Sequence, residues 1–274
     1  MAFKTVLVVT GSDLGNGDLR MGADLCEAID AHLAVLAVEI APPPPIGDYA
    51  IAWYDERQAG MEKLYQRCAA VKDFLSSRRA SVDIASEYQE EAWTDDMIGR
   101  RARYTDIVLV GPDLLSHPLL KRKALEGALF SSGKPVLVVP QGYKADLKPK
   151  HVMIAWDSRL EASNAVSRAM DVLIAAKDVH VVLIDPLEGD GGQGAEPGAD
   201  LATYLTRHGV KITVDRLPSQ GGTVAETLRR HAVDTATDML VMGGYGHSRL
   251  RERIFGGVTR SILEEPPLPV LMAH

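Results

Sequence analysis

Runs of aliphatic and β-branched residues recur along the chain at Thr5–Thr10, Leu33–Ile40, Val82–Tyr88, Ile107–Val110 and Pro135–Val139. The pattern then starts again at Val152–Trp156, Val179–Ile184, Val210–Leu217, Met239–Met242 and Pro269–Met272. Short apolar runs bounded by turn residues predict strands. Between them lie amphipathic stretches of helical period, at Asp18–Ala31, Met61–Arg79, Ala92–Tyr104 and Ser163–Ala176. Each half therefore predicts βαβαβαβαβ, and the second half repeats the first. Strands that are apolar throughout need cover on both faces, which right-handed helical crossovers between parallel neighbours provide. The expected fold is α/β: two tandem doubly wound domains, each with a five-stranded parallel sheet.

The joint falls at Gln141–Lys150, where Gly, Pro and charge replace apolar periodicity, giving domains 1–143 and 149–274. An irregular insert follows the second strand of each half. The first, APPPPIGDYAIAWYD from Ala41, is expected to be extended, and the second, EGDGGQGAEPG from Glu188, flexible. The 274 residues suit two domains, and 46% hydrophobic residues suffice for buried cores.

A net charge of -7 offers no field for a polyanion, so nucleic acid is not an expected partner. No run approaches the roughly 18 apolar residues of a membrane span, and the N-terminal segment reads as a first strand and not a signal peptide. These features point to a cytoplasmic protein with no membrane partner. Cys26 and Cys68 lie on helical segments without metal-type spacing and read as core or half-buried thiols.

Chemistry concentrates after the ninth strand, where VMGGYG runs into a glycine-rich segment that passes into a helix. Gly243, two residues, Gly246, nine residues and Gly256 form its skeleton. Glycines at such a junction let backbone N–H groups approach an anion, and the helix N-terminus adds a favourable dipole. If the first and fourth strands of this half are neighbours, Asp157 faces the loop across the crevice where the winding reverses. Glycine-rich turns are common without ligands, and Asp157 equally suits a helix cap. His247, Arg249, Arg251, Arg253 and Arg260 cluster on the segment; Arg suits phosphate, yet the alternating Arg and Glu equally suit a solvated face.

The combination of Met242, Gly243, Gly246, Gly256 and the closing Pro269-Val-Leu strand resembles the universal stress protein (UspA-like) family, over nearly the whole chain as two copies. The resemblance implies an adenine nucleotide alpha hydrolase-like, Rossmann-like fold whose paired copies pack as an intramolecular pseudo-dimer through their final strands. It also implies ATP, with Mg2+, as ligand. Gly243, Gly246, Gly256 and the main chain of Gly257 and Val258 would cradle phosphates, with Thr259 supplying a hydroxyl and His247 lying on the same loop. Asp157 would lie near the nucleoside, and Ile184 with Asp185 at the adenine. Gly257 departs from the family, which usually has Ser or Thr there, and so loses a hydroxyl contact.

In the first half Gly111 survives, but Pro112 and Leu114 occupy the loop and the later glycine pair is missing, so this copy is not expected to bind nucleotide in the same way. Gly11, Gly15 and Gly17 do not form GxGxxG, and Gly133-Lys134 does not open a helix. The histidines and Trp53, Trp93 and Trp156 are scattered without metal or triad spacing and read as core or surface residues; no metal ligand and no catalytic nucleophile stands out. The expected function is regulatory binding of ATP or a related nucleotide by the C-terminal domain, with an unidentified protein partner and compatible with a homodimer of the tandem chain. The alternative is a nucleotide-free scaffold or small-ligand binder. Slow ATP hydrolysis ranks last, for want of a general base.

Overall fold

In the computed structural model, described over residues 3–43, 50–187, 189, 196–245 and 257–274 without the side chains of 50–52, the chain divides into two compact units, Ala2–Val136 and Leu137–His274. In the first unit β1 (Thr5–Gly11), β2 (His32–Ala41), β3 (Ser81–Glu90) and β4 (Ile107–Val110) are parallel and lie in the order β3-β2-β1-β4. Every residue of β4, and all but the first of β1, is buried, as a sheet covered on both faces requires. The helices are α1 (Gly17–Ile29), α2 (Ala50–Leu75), α3 (Glu91–Ala102), α4 (Pro112–Leu115) and α5 (Pro118–Glu126), the last running into a π-helical turn at Gly127–Ser132. The division between the units falls inside β5 (Val136–Val138).

The first insert is not extended throughout. Helix α2 begins at Ala50, eleven residues ahead of the expected Met61, and takes in AIAWYD. The prolines end at Pro45, and from Ala50 the chain is rich in Ala, Glu, Arg and Gln, which lose little freedom in a helix. Trp53 Nε1 donates back to the Pro42 carbonyl at 3.5 Å, bringing the helix start against the end of β2. Cys26 is buried on α1, where burial pushes its thiol up to about 12, and Cys68 is half-buried on α2.

Two carboxylates close the carboxyl end of this first sheet. Asp18, 3% exposed, accepts from the N–H groups of Asp113 (3.0 Å) and Leu114 (2.9 Å), at the start of the helix after β4. Asp113 in turn accepts from the N–H groups of Gly17 (2.7 Å) and Asp18 (3.2 Å), at the start of α1. Arg67 joins them, donating to Asn16 Oδ1, Thr10 Oγ1 and the Gly15 carbonyl at 2.7–2.9 Å. The first N–H donors of α1 and α4 thus meet side chains of the chain itself.

Burial pushes the Asp18 carboxyl above the usual aspartate range, although the two N–H bonds pull the other way. The native state therefore holds this proton more tightly than the unfolded chain, so its contribution to stability is present at low pH and is lost as pH rises through the raised value. Asp18→Asn, which keeps an acceptor oxygen and cannot ionise, is expected to gain stability relative to the wild type as pH rises from about 4 to about 7. Urea unfolding of both proteins across that range measures the difference; a gap that stays constant would contradict it.

In the second unit the strands are β6 (His151–Ala155), β7 (Asp178–Ile184), β8 (Ile212–Leu217), β9 (Met239–Gly243) and β10 (Val270–Ala273), in the order β10-β9-β6-β7-β8 and parallel throughout. The helices are α6 (Leu160–Arg168), α7 (Met170–Ala175), α8 (Ala199–Arg207), α9 (Val224–Asp234) and α10 (Gly257–Glu264). The single helix expected at Ser163–Ala176 is broken at Ala169 into α6 and α7. Of the second insert, residues 188 and 190–195 lie outside the described residues. Among the described residues no helix is long and apolar enough to cross a membrane.

Candidate functional site

The first strand of the second unit, β6, lies between β7 and β9, so the winding reverses at the β6–β9 boundary, where doubly wound sheets leave a crevice outside their carboxyl ends. A cavity of about 300 Å³ opens there. The chain leaves three strands through left-handed residues, Ser158 (φ 63°) after β6, Asp185 (φ 46°) after β7 and Tyr245 (φ 67°) after β9. Non-glycine residues enter this region at some conformational cost, and here they mark the sharp turns around the crevice.

One wall of the cavity is apolar: Val182 and Ile184 from β7, Val224 and Leu228 from α9, with Ala155 and Trp156 at the end of β6. Val224 is held at the rim by the capping box of α9, in which Thr223 Oγ1 accepts from Glu226 N–H (3.2 Å) and the Glu226 carboxylate accepts from Thr223 N–H (2.7 Å). Those hydrogen bonds hold the Glu226 carboxyl below its ordinary value. The cavity's polar groups are Asp157, Arg159 and Glu161, between the end of β6 and the start of α6, and Thr259 in the first turn of α10, set among the apolar Ala162, Met242 and Val258. Asp157 accepts from the N–H of Arg159 (3.1 Å) and lies 3.7 Å from its guanidinium. Thr259 is buried, and its hydroxyl oxygen accepts from Tyr245 N–H at 3.3 Å.

Seven residues expected at the ligand, Asp157, Ile184, Met242, Gly243, Gly257, Val258 and Thr259, line this one cavity although they come from four separate stretches of chain. Gly246, His247 and Gly256 lie outside the described residues. Gly243 has a packing reason of its own: a Cβ there would sit 2.5 Å from Ala162 N and 2.7 Å from Glu161 C. At Gly257 a Cβ would meet nothing within 4 Å among the described residues, none of which requires glycine there. Asp185, expected with Ile184 at the adenine, does not line the cavity. Its N–H donates to the Leu217 carbonyl (2.9 Å), and its carboxylate accepts from Ser219 N–H (3.0 Å); the Ser219 side chain first, and this N–H second, hold the carboxyl below the usual range.

Trp156, read from sequence as core or surface, lines the cavity, as do Arg159 and Glu161. Proximity to Asp157 was the available signal for all three. Val224 and Leu228 carried none, because they follow the same period as any buried helix face. The histidines also need correction: the fold brings His180 and His231 onto the single carboxylate of Asp215, residues 35 and 16 positions away from it in the chain. Arg260 is exposed and pairs with Glu264 at 2.7 Å.

Residues 148–274 match the universal stress protein family (Usp). Over 151 residues the chain is 30% identical to the universal stress protein Slr1230 of Synechocystis; the match covers 54% of this chain and 49% of that protein, so the chain spans about half the length of this curated relative. Among solved structures, a universal stress protein from Archaeoglobus fulgidus superposes with a TM-score of 0.60 at 15% identity, over 97% of this chain and 95% of that one. A Pseudomonas aeruginosa protein assigned to the same family gives 0.57 at 17% identity, over 99% and 93%. At such identities the likeness shows the fold: a Rossmann-like α/β arrangement over nearly the whole chain.

Proposed function

We propose that the universal stress protein family domain at residues 148–274 binds ATP or a related adenine nucleotide in the crevice at the β6–β9 boundary, with its phosphates at the first turn of α10 and its base against the apolar wall. The observation that carries this reading is the convergence of seven motif residues on one cavity that combines apolar lining with a few polar groups. Ligand pockets combine apolar walls with a few placed polar groups in this way, and a helix N-terminus favours an anion. We further propose that residues 1–143 are a second copy of the same domain, closed to phosphate because Asp18 occupies the N–H groups after β4.

The carboxylates of Asp157 and Glu161 line the same cavity, so a polyphosphate needs a divalent cation to offset them. They are also the observation that favours a second reading, a nucleotide-free scaffold. Mass spectrometry of small molecules released from freshly purified protein, followed by calorimetric titration of the emptied protein with ATP and Mg2+, separates the two. About one nucleotide per chain supports the proposal; neither nucleotide nor heat leaves the scaffold.

Gly257→Ser supplies the hydroxyl that this position lacks, at a site with room for it. It is expected to tighten MgATP binding about threefold to tenfold, in line with the net worth of one ordinary hydrogen bond, and to leave stability unchanged or slightly raised. Trp156 provides the readout, since it lines the cavity and its emission should change on titration. An unaltered or weaker affinity would place the phosphates elsewhere.

A further inference from the structure

On the same faces of β7 and α9 that carry the crevice wall, three side chains form the one His, Cys, Asp and Glu cluster of metal-ligating geometry among the described residues: His180, Asp215 and His231. His180 Nδ1 lies 2.6 Å from Asp215 Oδ2, and His231 Nε2 lies 2.9 Å from the same oxygen. Three elements build the cluster. In the β7–β8 register Thr213 pairs with His180 and Asp215 with Val182, so Asp215 sits diagonally from His180 on one face of the sheet, within reach of a long side chain. His231 follows Leu228 by three positions on α9, on the helix face that packs towards the sheet.

From this geometry we propose that His180, Asp215 and His231 form a binding site for a divalent transition-metal ion, with Zn2+ the best match. Two imidazoles and one carboxylate are a donor set that zinc accepts, with a solvent molecule completing a tetrahedron. Their ligating atoms all lie within 4.8 Å of one another. Bond lengths of about 2.0–2.1 Å at tetrahedral angles need donor separations of about 3.3 Å. The two His–Asp contacts, at 2.6 and 2.9 Å, would open by about 0.7 and 0.4 Å, and the His–His donor pair, within 4.8 Å, would close by up to about 1.5 Å, adjustments that side-chain rotations supply. A hydrogen-bonded role for Asp215 would be met by either histidine alone; two rings converging on one oxygen outline the coordination sphere of a cation. The side chains retain 16–22% exposure, which leaves the ion a route from solvent. On binding, a ring that donates its proton to Asp215 takes up its other tautomer and presents the lone pair to the metal. Such a site would pin α9 to β7 and β8, the elements that also carry Val182 and Leu228 of the crevice wall. It does not depend on what the crevice binds.

The test uses the full chain, stripped with chelator and titrated with Zn2+ by calorimetry, and with Co2+ by visible absorption. The proposal expects one tight site per chain with micromolar or lower Kd, the intense bands of tetrahedral Co2+, and a rise in Tm with Zn2+. His231→Ala and the near-isosteric Asp215→Asn are each expected to weaken that site at least 100-fold, while His208→Ala leaves it intact. Absence of stoichiometric binding to the wild type at 100 µM Zn2+, roughly 100-fold above the affinity expected, would overturn the assignment. So would a site that survives both substitutions. Should His231→Ala fail to fold, Asp215→Asn and the wild-type titration still decide the question.

Discussion

Gly243→Val is expected to unfold the second unit under conditions where the wild type is fully native. The last residue of β9 runs against the first turn of α6 so closely that an added Cβ would lie 2.5 Å from Ala162 N, 2.7 Å from Glu161 C and 3.0 Å from Ala162 Cα. All three are backbone atoms, which no rotamer change can move aside. The helix cannot withdraw as a body either, because Ala162, Ala165 and Val166 are buried beneath it. Overpacking that side chains can relax costs about 1–3 kcal/mol, and displacement of a packed helix is expected to exceed that, at about 4 kcal/mol of a total near 5–15. Since the first carbon is the one that collides, Gly243→Ala should show most of the loss. Denaturant unfolding of the three proteins measures it, and a valine variant within 1 kcal/mol of wild type would show that α6 yields freely.

The second large effect separates binding from stability. Val258 is the second residue of α10, half-exposed and on the cavity lining. A carboxylate in the first turn of a helix is favourable by about 0.3–1 kcal/mol, so Val258→Glu should hold its stability or gain a little. The same charge would occupy the position proposed for the phosphates and repel them. A loss of at least 100-fold in MgATP affinity is expected, about 2.7 kcal/mol, whereas neutral Val258→Gln should stay within about fivefold. Calorimetry with unfolding curves on the same samples reads both quantities. Equal affinity in the glutamate and glutamine variants would remove α10 from the proposed site.

The central strands were legible because their residues are apolar on both faces, so that neither the period nor the turn residues around Val6–Val9 or Leu240–Met242 admit another element. Errors arose where local signals conflict. Val210 extends the apolar run of β8 backwards, yet the strand starts at Ile212, because the left-handed Gly209 turns the chain just before it. The prolines from Pro42 hid a helix that starts at Ala50, once they end. At the crevice, glycines and Asp157 stood out because few residue types suit their positions. The apolar wall did not, since Val224 and Leu228 meet requirements that any packed helix imposes. The His180, Asp215 and His231 cluster needs a strand register and a helix docking before it exists, and no local pattern encodes either.

The paired aspartates of the first unit bear on how a chain duplicated in the way proposed can change over generations. Loss of Asp18 alone would strand the N–H groups of Asp113 and Leu114, and loss of Asp113 alone would strand that of Gly17, so each single step leaves helix-end donors unpaired before any ligand can take them. A gain of phosphate binding in that unit therefore runs uphill through less stable intermediates, while neutral drift elsewhere in it stays open. On the proposal that the two units are copies, they are free to diverge further, and the closed one acts as a ratchet against convergence.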